Sequence, residues 1–63
     1  MIADDTIQIL WKHKGFQPNY KFVSLKTALA MRKELLVSDY EVKIRIMKEK
    51  KWVTVSETKG WET

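Results

Sequence analysis

The chain has 63 residues, no cysteine and a net charge of +4, with 12 Lys and Arg against 8 Asp and Glu. This length predicts one domain spanning residues 1–63 with a small core, because a chain of about 60 residues buries only about 60% of its unfolded surface. The composition excludes disulfides and thiolate metal sites, and no apolar run approaches the roughly 20 residues that cross a bilayer.

The two ends of the chain are acidic and the part between them is basic. Residues 6–56 hold 11 Lys and Arg against four acids, a net of +7. Such an excess is typical of proteins with anionic partners, and also of small domains that charge keeps soluble. The acidic segment 1–5 lacks the basic start of a signal peptide, so we expect a cytoplasmic protein without a membrane partner. Residues 1–5 and 57–63 are expected to be loose ends.

The first predicted element is a β-hairpin built from residues 6–14 and 20–23. Apolar and polar side chains alternate along the first arm, and Gly15 and Pro18 indicate a turn before the second arm. A four-residue loop at residues 15–18 would pair Trp11 with Phe22. This register makes one face aromatic, and its residues predicted to be buried are Ile7, Ile9, Trp11, Tyr20 and Phe22. It also places His13 beside Tyr20, and Lys12 opposite Lys21 on the other face.

A helix is predicted from Ser24 to Val37 or Ser38. Ser24 is a good N-cap residue, and the residues that follow are mostly strong helix formers. One face of this helix follows the 3, 4, 7 spacing, interrupted only by Arg32. Its apolar members are Leu25, Ala28, Leu29, Leu35 and Leu36. The turn-favouring pair Ser38 and Asp39 ends the helix.

A second hairpin is predicted over residues 41–56. A turn centred on Glu49 and Lys50 pairs Met47 with Trp52 and Arg45 with Thr54, so the apolar faces of both arms coincide. The residues predicted to be buried are Val42, Ile44, Ile46, Val53 and Val55. The opposite face carries cations beside a tryptophan.

The predicted fold class is α+β, a small two-layer β-β-α-β-β domain of antiparallel hairpins with the helix on one sheet face. The other sheet face is expected to stay open. Its predicted members are Gln8, Leu10, Lys12, Lys14, Lys21, Val23, Lys43, Arg45, Met47, Trp52 and Thr54. We expect Trp61 to fold back on the core, because burying so large an apolar side chain is worth a few kcal/mol.

The sequence offers little for catalysis. It has no cysteine, a single histidine and no glycine-rich phosphate loop, and its serines fit caps, turns and strands. His13 paired with Asp4 or Asp5 would lack a held geometry, and one imidazole is a poor start for a metal site. We therefore expect a non-enzymatic protein with no cofactor and no metal.

The function predicted is that of a small binding module or inhibitor that docks a protein partner through the open face or a sheet edge, with self-association as a further option. The alternative is nucleic-acid binding by the basic hairpin face, either to single strands by stacking or to duplex DNA in the major groove. The candidate binding residues are Lys12, Lys14, Lys21, Lys43, Arg45, Met47, Lys48, Lys50, Lys51, Trp52 and Thr54. Short basic chains without cysteine are common among bacteriophage and mobile-element proteins, which makes such an origin a hypothesis.

Overall fold

Four antiparallel strands form one sheet, and a single helix lies on one of its faces. The computed structural model describes residues 4–59 and 61. The elements are β1 (Ile7–Lys12), β2 (Asn19–Val23), α1 (Leu25–Val37), β3 (Glu41–Lys48) and β4 (Lys51–Glu57), and the strand order is β2-β1-β3-β4. The predicted α+β class, element order and two-layer arrangement are confirmed.

The ends of α1 follow local chemistry. The Ser24 hydroxyl accepts a hydrogen bond from the backbone N–H of Thr27 at 3.3 Å, as an N-cap does. At the other end, Asp39 has a φ of +63°, and the N–H of Tyr40 donates to the carbonyl of Leu35 at 3.0 Å. This is the Schellman arrangement that closes a helix, so both predicted boundaries are confirmed.

The β3–β4 hairpin has the predicted turn. Glu49 and Lys50 both have positive φ, 49° and 67°, as the two central residues of a type I′ turn require. Met47 pairs with Trp52 and Arg45 with Thr54, which confirms the predicted register.

A β-bulge changes the second half of β4. Thr54 pairs with Arg45 but Ser56 pairs with Ile44, so Val55 is an extra residue without a partner on β3. The prediction that Val55 is buried is wrong, and its side chain is 55% exposed.

The β1–β2 hairpin differs from the prediction. Leu10 pairs with Tyr20 and Gln8 with Phe22, because six residues, 13–18, connect the two strands instead of four. The pairing is displaced by three positions from the predicted one, and an odd displacement moves every β2 side chain to the other sheet face. Tyr20 and Phe22 therefore leave the helix side of the sheet, while Lys21 and Val23 join it.

The core lies between α1 and the two central strands. Its fully buried members are Ile9, Ala28, Val42 and Ile44. A helix is about 10 Å wide and strands are about 4.8 Å apart, so one helix covers about two strands. The margins of this layer therefore stay exposed, and the prediction that Leu25, Leu29 and Val53 are buried is wrong.

The segments next to the chain ends are hydrogen-bonded where they are described. The N–H of Asp5 donates to the carbonyl of Met47 at 2.8 Å, and the N–H of Thr58 donates to the carbonyl of Val42 at 3.0 Å. The expectation of loose ends also concerns residues 1–3, 60, 62 and 63, which lie outside the described residues.

Candidate binding face

Aromatic and cationic side chains share the sheet face that α1 leaves uncovered. We call this surface the aromatic face, and it consists of Tyr20, Phe22, Trp52 and Trp61 together with Lys12, Lys43 and Arg45. Tyr20 and Phe22 project from the edge strand β2 and are 61% and 48% exposed. Their rings meet edge to face, with centroids 5.8 Å apart.

The rings of Phe22 and Trp52 meet across the whole width of the sheet. Phe22 is on one edge strand and Trp52 on the other. These two strands are three strand spacings, or about 14 Å, apart across the sheet. The two ring centroids are nevertheless only 6.4 Å apart and their planes differ by 18°. The two side chains therefore lean toward each other and cover part of the central strands.

Arg45 and Gln8 form a polar pair on the central strands of the same face. The Nε–H of Arg45 donates to Oε1 of Gln8 at 2.6 Å, and Gln8 is only 5% exposed. The guanidinium of Arg45 lies over the Trp52 ring, with Cζ 4.8 Å from the ring centroid. A charge-assisted hydrogen bond and a cation–π contact thus hold Arg45 in one orientation.

Trp61 covers the other end of the aromatic face. Its ring centroid lies 5.1 Å from Nζ of Lys12 and 5.8 Å from Nζ of Lys43. Trp61 folds back on the sheet, as predicted. It lies on the aromatic face, however, and not against the core between the sheet and α1. Leu10 is only 8% exposed although no helix covers its face, so the prediction that it lies open is wrong.

Charges on the aromatic face are nearly balanced. Lys43 pairs with Glu57, with 3.6 Å between Nζ and Oε1. Glu41 has the same face as Lys12, with which it is paired in the ladder, and its carboxylate accepts a hydrogen bond from Thr58 at 2.8 Å. Three cations and two carboxylates therefore share this surface.

The other cations predicted to bind a partner lie outside the aromatic face. Lys48, Lys50 and Lys51 cluster around the β3–β4 turn, and Lys48 forms an ion pair with Asp5. Lys14 is exposed in the β1–β2 connection. The prediction that Lys21 shares a face with Lys12 is wrong, since Lys21 pairs with Ile9 and projects to the helix side.

The remaining predicted binding residues lie on the predicted sheet face, but Met47 is only 7% exposed, so the prediction that it is open to a partner is wrong. Lys12, Lys43, Arg45, Met47, Trp52 and Thr54 are on the face away from the helix, as the ladders between the central strands and β4 require. Tyr20 and Phe22 are not among the predicted binding residues, because the predicted β1–β2 loop was shorter than the observed one. Their even spacing around Lys21 correctly predicts that the two rings share a face, but it does not specify which face of the sheet that is.

His13 has a structural contact. Its ring stacks on Tyr40 with centroids 4.0 Å apart, so the predicted contact with Tyr20 is wrong. Within residues 4–59 and 61, no three His, Cys, Asp or Glu side chains come together as metal ligands would. The described part of the chain also contains no helix of the length and apolarity needed to span a membrane.

Comparisons of this chain with protein-family models, with curated proteins and with solved structures find no match.

Proposed function

We propose that this protein is a non-catalytic docking module that binds a protein partner through its aromatic face. The observation that carries the proposal is the exposure of Tyr20 and Phe22 beside the fixed pair of Trp52 and Arg45. Tyr, Trp and Arg are the residues that dominate binding energy in protein interfaces, because they combine large apolar area with a polar group. Rigid rings also lose little conformational entropy on binding.

The charges of the aromatic face favour a protein over a nucleic acid. A phosphate backbone needs a local excess of cations, whereas this surface includes the carboxylates of Glu41 and Glu57. Glu57 already pairs with Lys43, and the Trp61 ring lies against Lys12. An apolar centre with charges of both signs around it is the usual composition of a protein interface.

The proposal is tested with two matched variants. Tyr20→Ser combined with Phe22→Ser removes both exposed rings, and Val37→Ser removes an apolar side chain that is 83% exposed on the helix, away from the sheet. Proteins that the wild-type chain captures from a nuclease-treated extract of the source cells are identified and purified. Each is then titrated by calorimetry against the wild-type protein, the double variant and Val37→Ser. We expect the double variant to weaken binding about 1,000-fold, since two hot-spot residues are each worth about 2 kcal/mol or more.

Two controls accompany this experiment. Circular dichroism and urea unfolding establish that the double variant remains folded, so that lost binding is not lost structure. A partner that binds the wild-type protein and the double variant equally would refute docking through the aromatic face. Loss of binding in Val37→Ser would move the interface to the helix.

A specific observation favours nucleic-acid binding as a second candidate. Lys48, Lys50 and Lys51 are exposed around one tight turn, where they are able to approach phosphates together. The test is the anisotropy of labelled single-stranded RNA, single-stranded DNA and duplex DNA at about 50 and 200 mM salt, where a site that neutralises several phosphates loses orders of magnitude in affinity. Steep salt dependence that disappears in Lys50→Glu with Lys51→Glu would support this candidate. Absence of binding at the lower salt would remove it.

A further inference from the structure

The edge strand β2 exposes unpaired backbone groups at the same two residues that expose aromatic rings. The N–H of Met47 donates to the carbonyl of Thr6 at 2.9 Å, which makes Thr6 and Met47 a hydrogen-bonded pair of the β1–β3 ladder. Bonded and non-bonded pairs alternate along an antiparallel ladder, so Gln8 and Leu10 also direct their backbone groups toward β3.

The same alternation determines the bonding of β2. Ile7, Ile9 and Trp11 direct their backbone groups toward β2, where their partners are Val23, Lys21 and Asn19. The N–H and C=O groups of Tyr20 and Phe22 therefore point away from the sheet. Among the described residues, no backbone bond outside the ladders involves either of them.

The opposite edge of the sheet is protected. β4 is interrupted by the bulge at Val55, which twists a strand and disrupts the row of backbone groups that a further strand would need. β2 has a regular register over all five of its residues. It is thus the edge that is able to accept another strand.

We propose that β2 pairs with an extended segment of the protein partner in which an acidic residue lies between two apolar ones. This inference rests on the proposed function and adds its mode of binding, namely strand addition at a sheet edge. Guest residues opposite Tyr20 and Phe22 lie on the aromatic face, where apolar side chains pack against the two rings. The guest residue between them lies on the helix side, opposite Lys21.

The charge of Lys21 selects the guest. Lys21 is exposed, and no carboxylate of the described residues lies within the 4.0 Å of an ion pair. Opposite charges directly across a strand pair are stabilising, whereas like charges are destabilising. An alternating apolar and acidic segment satisfies both faces of β2 at once.

A second copy of this chain fits the same edge poorly. In antiparallel self-pairing, the register that aligns Tyr20 of one copy with Phe22 of the other also aligns the two Lys21 side chains. These would repel each other at the centre of the pairing. The complementary charge of an acidic segment therefore makes a foreign strand the better occupant.

The test uses three synthetic heptapeptides and the full chain. The acidic probe is Thr-Val-Glu-Val-Glu-Val-Thr, the basic probe replaces both glutamates with lysine, and the third probe places proline at the central valine to remove its N–H and prevent strand pairing. Amide hydrogen exchange by NMR, with peptide added up to about 1 mM, reports on the backbone of each residue. We expect the acidic probe to slow exchange of the Tyr20 and Phe22 amides at least tenfold, and the other two probes to have no such effect.

A charge-reversal variant provides the second readout. Lys21→Glu is expected to lower the affinity for the acidic probe roughly tenfold, since an attractive cross-strand pair becomes a repulsive one. The same variant is expected to bind the basic probe more tightly than the wild-type protein does. Lys33→Glu makes the same change of net charge on the exposed surface of α1 and is expected to leave both titrations unchanged.

Three results would overturn the inference. One is the absence of binding by the acidic probe, and another is binding without protection of Tyr20 and Phe22. The third is protection of these amides without peptide that rises with protein concentration, which would identify a second copy as the occupant. The capture experiment with the double variant of Tyr20 and Phe22 does not depend on these results. It therefore tests docking through the aromatic face separately from strand addition.

Discussion

The hydrogen bond between Arg45 and Gln8 is expected to stabilise the fold even though it lies on the face without a helix. Gln8 is 5% exposed and its acceptor lies 2.6 Å from Nε of Arg45. A hydrogen bond to a charged group contributes about 1.5–3 kcal/mol to stability. A domain of this size has a free energy of unfolding of about 3–9 kcal/mol, so this single bond is a large fraction of it.

A double-mutant cycle isolates the contribution of this bond. Gln8→Leu leaves the Arg45 donor without its acceptor, Arg45→Leu leaves a buried carbonyl without its donor, and the double variant removes both groups. We expect the two single variants each to cost about 2 kcal/mol, and the double variant to cost less than their sum by about 1.5 kcal/mol. The cation–π contact of Arg45 with Trp52 is lost in both variants that lack Arg45, so it cancels in the coupling energy.

Urea unfolding followed by tryptophan fluorescence measures each free energy. The control cycle combines Arg45→Leu with Gln17→Leu, a change in the exposed β1–β2 connection, and is expected to be additive within about 0.5 kcal/mol. A coupling energy below about 0.5 kcal/mol between Gln8 and Arg45 would show that the pair contributes no more than distant residues do.

Further predictions concern the core, the turn and one ion pair. Ile44→Thr is expected to lower the free energy of unfolding in urea by about 3 kcal/mol or more, whereas Val55→Thr changes it by no more than about 0.5 kcal/mol. Equal costs would contradict the conclusion that the helix covers only the central strands. Lys50→Gly is expected to raise the melting temperature by several degrees, since its φ of +67° costs a side-chain-bearing residue about 1 kcal/mol; a lower melting temperature would argue against a type I′ turn. The pKa of Lys48 lies above its ordinary value because Asp5 accepts its hydrogen bond and attracts its charge. Any stability from this exposed contact is therefore present below the ordinary lysine pKa and lost as pH rises through the raised one. Asp5→Asn should lower that pKa in an NMR titration, and an unchanged value would exclude the contact in solution.

Local signals in the sequence were sufficient for much of the fold. The Ser24 cap and the Asp39 turn bound the helix because both act within a few residues. The register of the β3–β4 hairpin was predictable as well, since its two-residue turn leaves one way to align the arms and both faces agree with it. These features depend on neighbours in the chain and need no knowledge of the core.

The composition of the aromatic face was decided by tertiary packing. A connection of uncertain length does not specify a register, and an odd displacement of β2 exchanges Tyr20 and Phe22 with Lys21 and Val23. The helix selects Val23 for its side of the sheet, where it packs against the core, and the two rings thereby reach the other face.

The breadth of the helix layer and the position of Trp61 also required the three-dimensional structure. Hydrophobic alternation marks Val53 and Val55 as core residues, but one helix covers only the central strands, and a bulge leaves Val55 without a partner. Trp61 meets Lys12 and Lys43, which are 49 and 18 positions away in the sequence. Contacts over such separations depend on the strand order, which places β1 beside β3 and so brings both lysines under one ring.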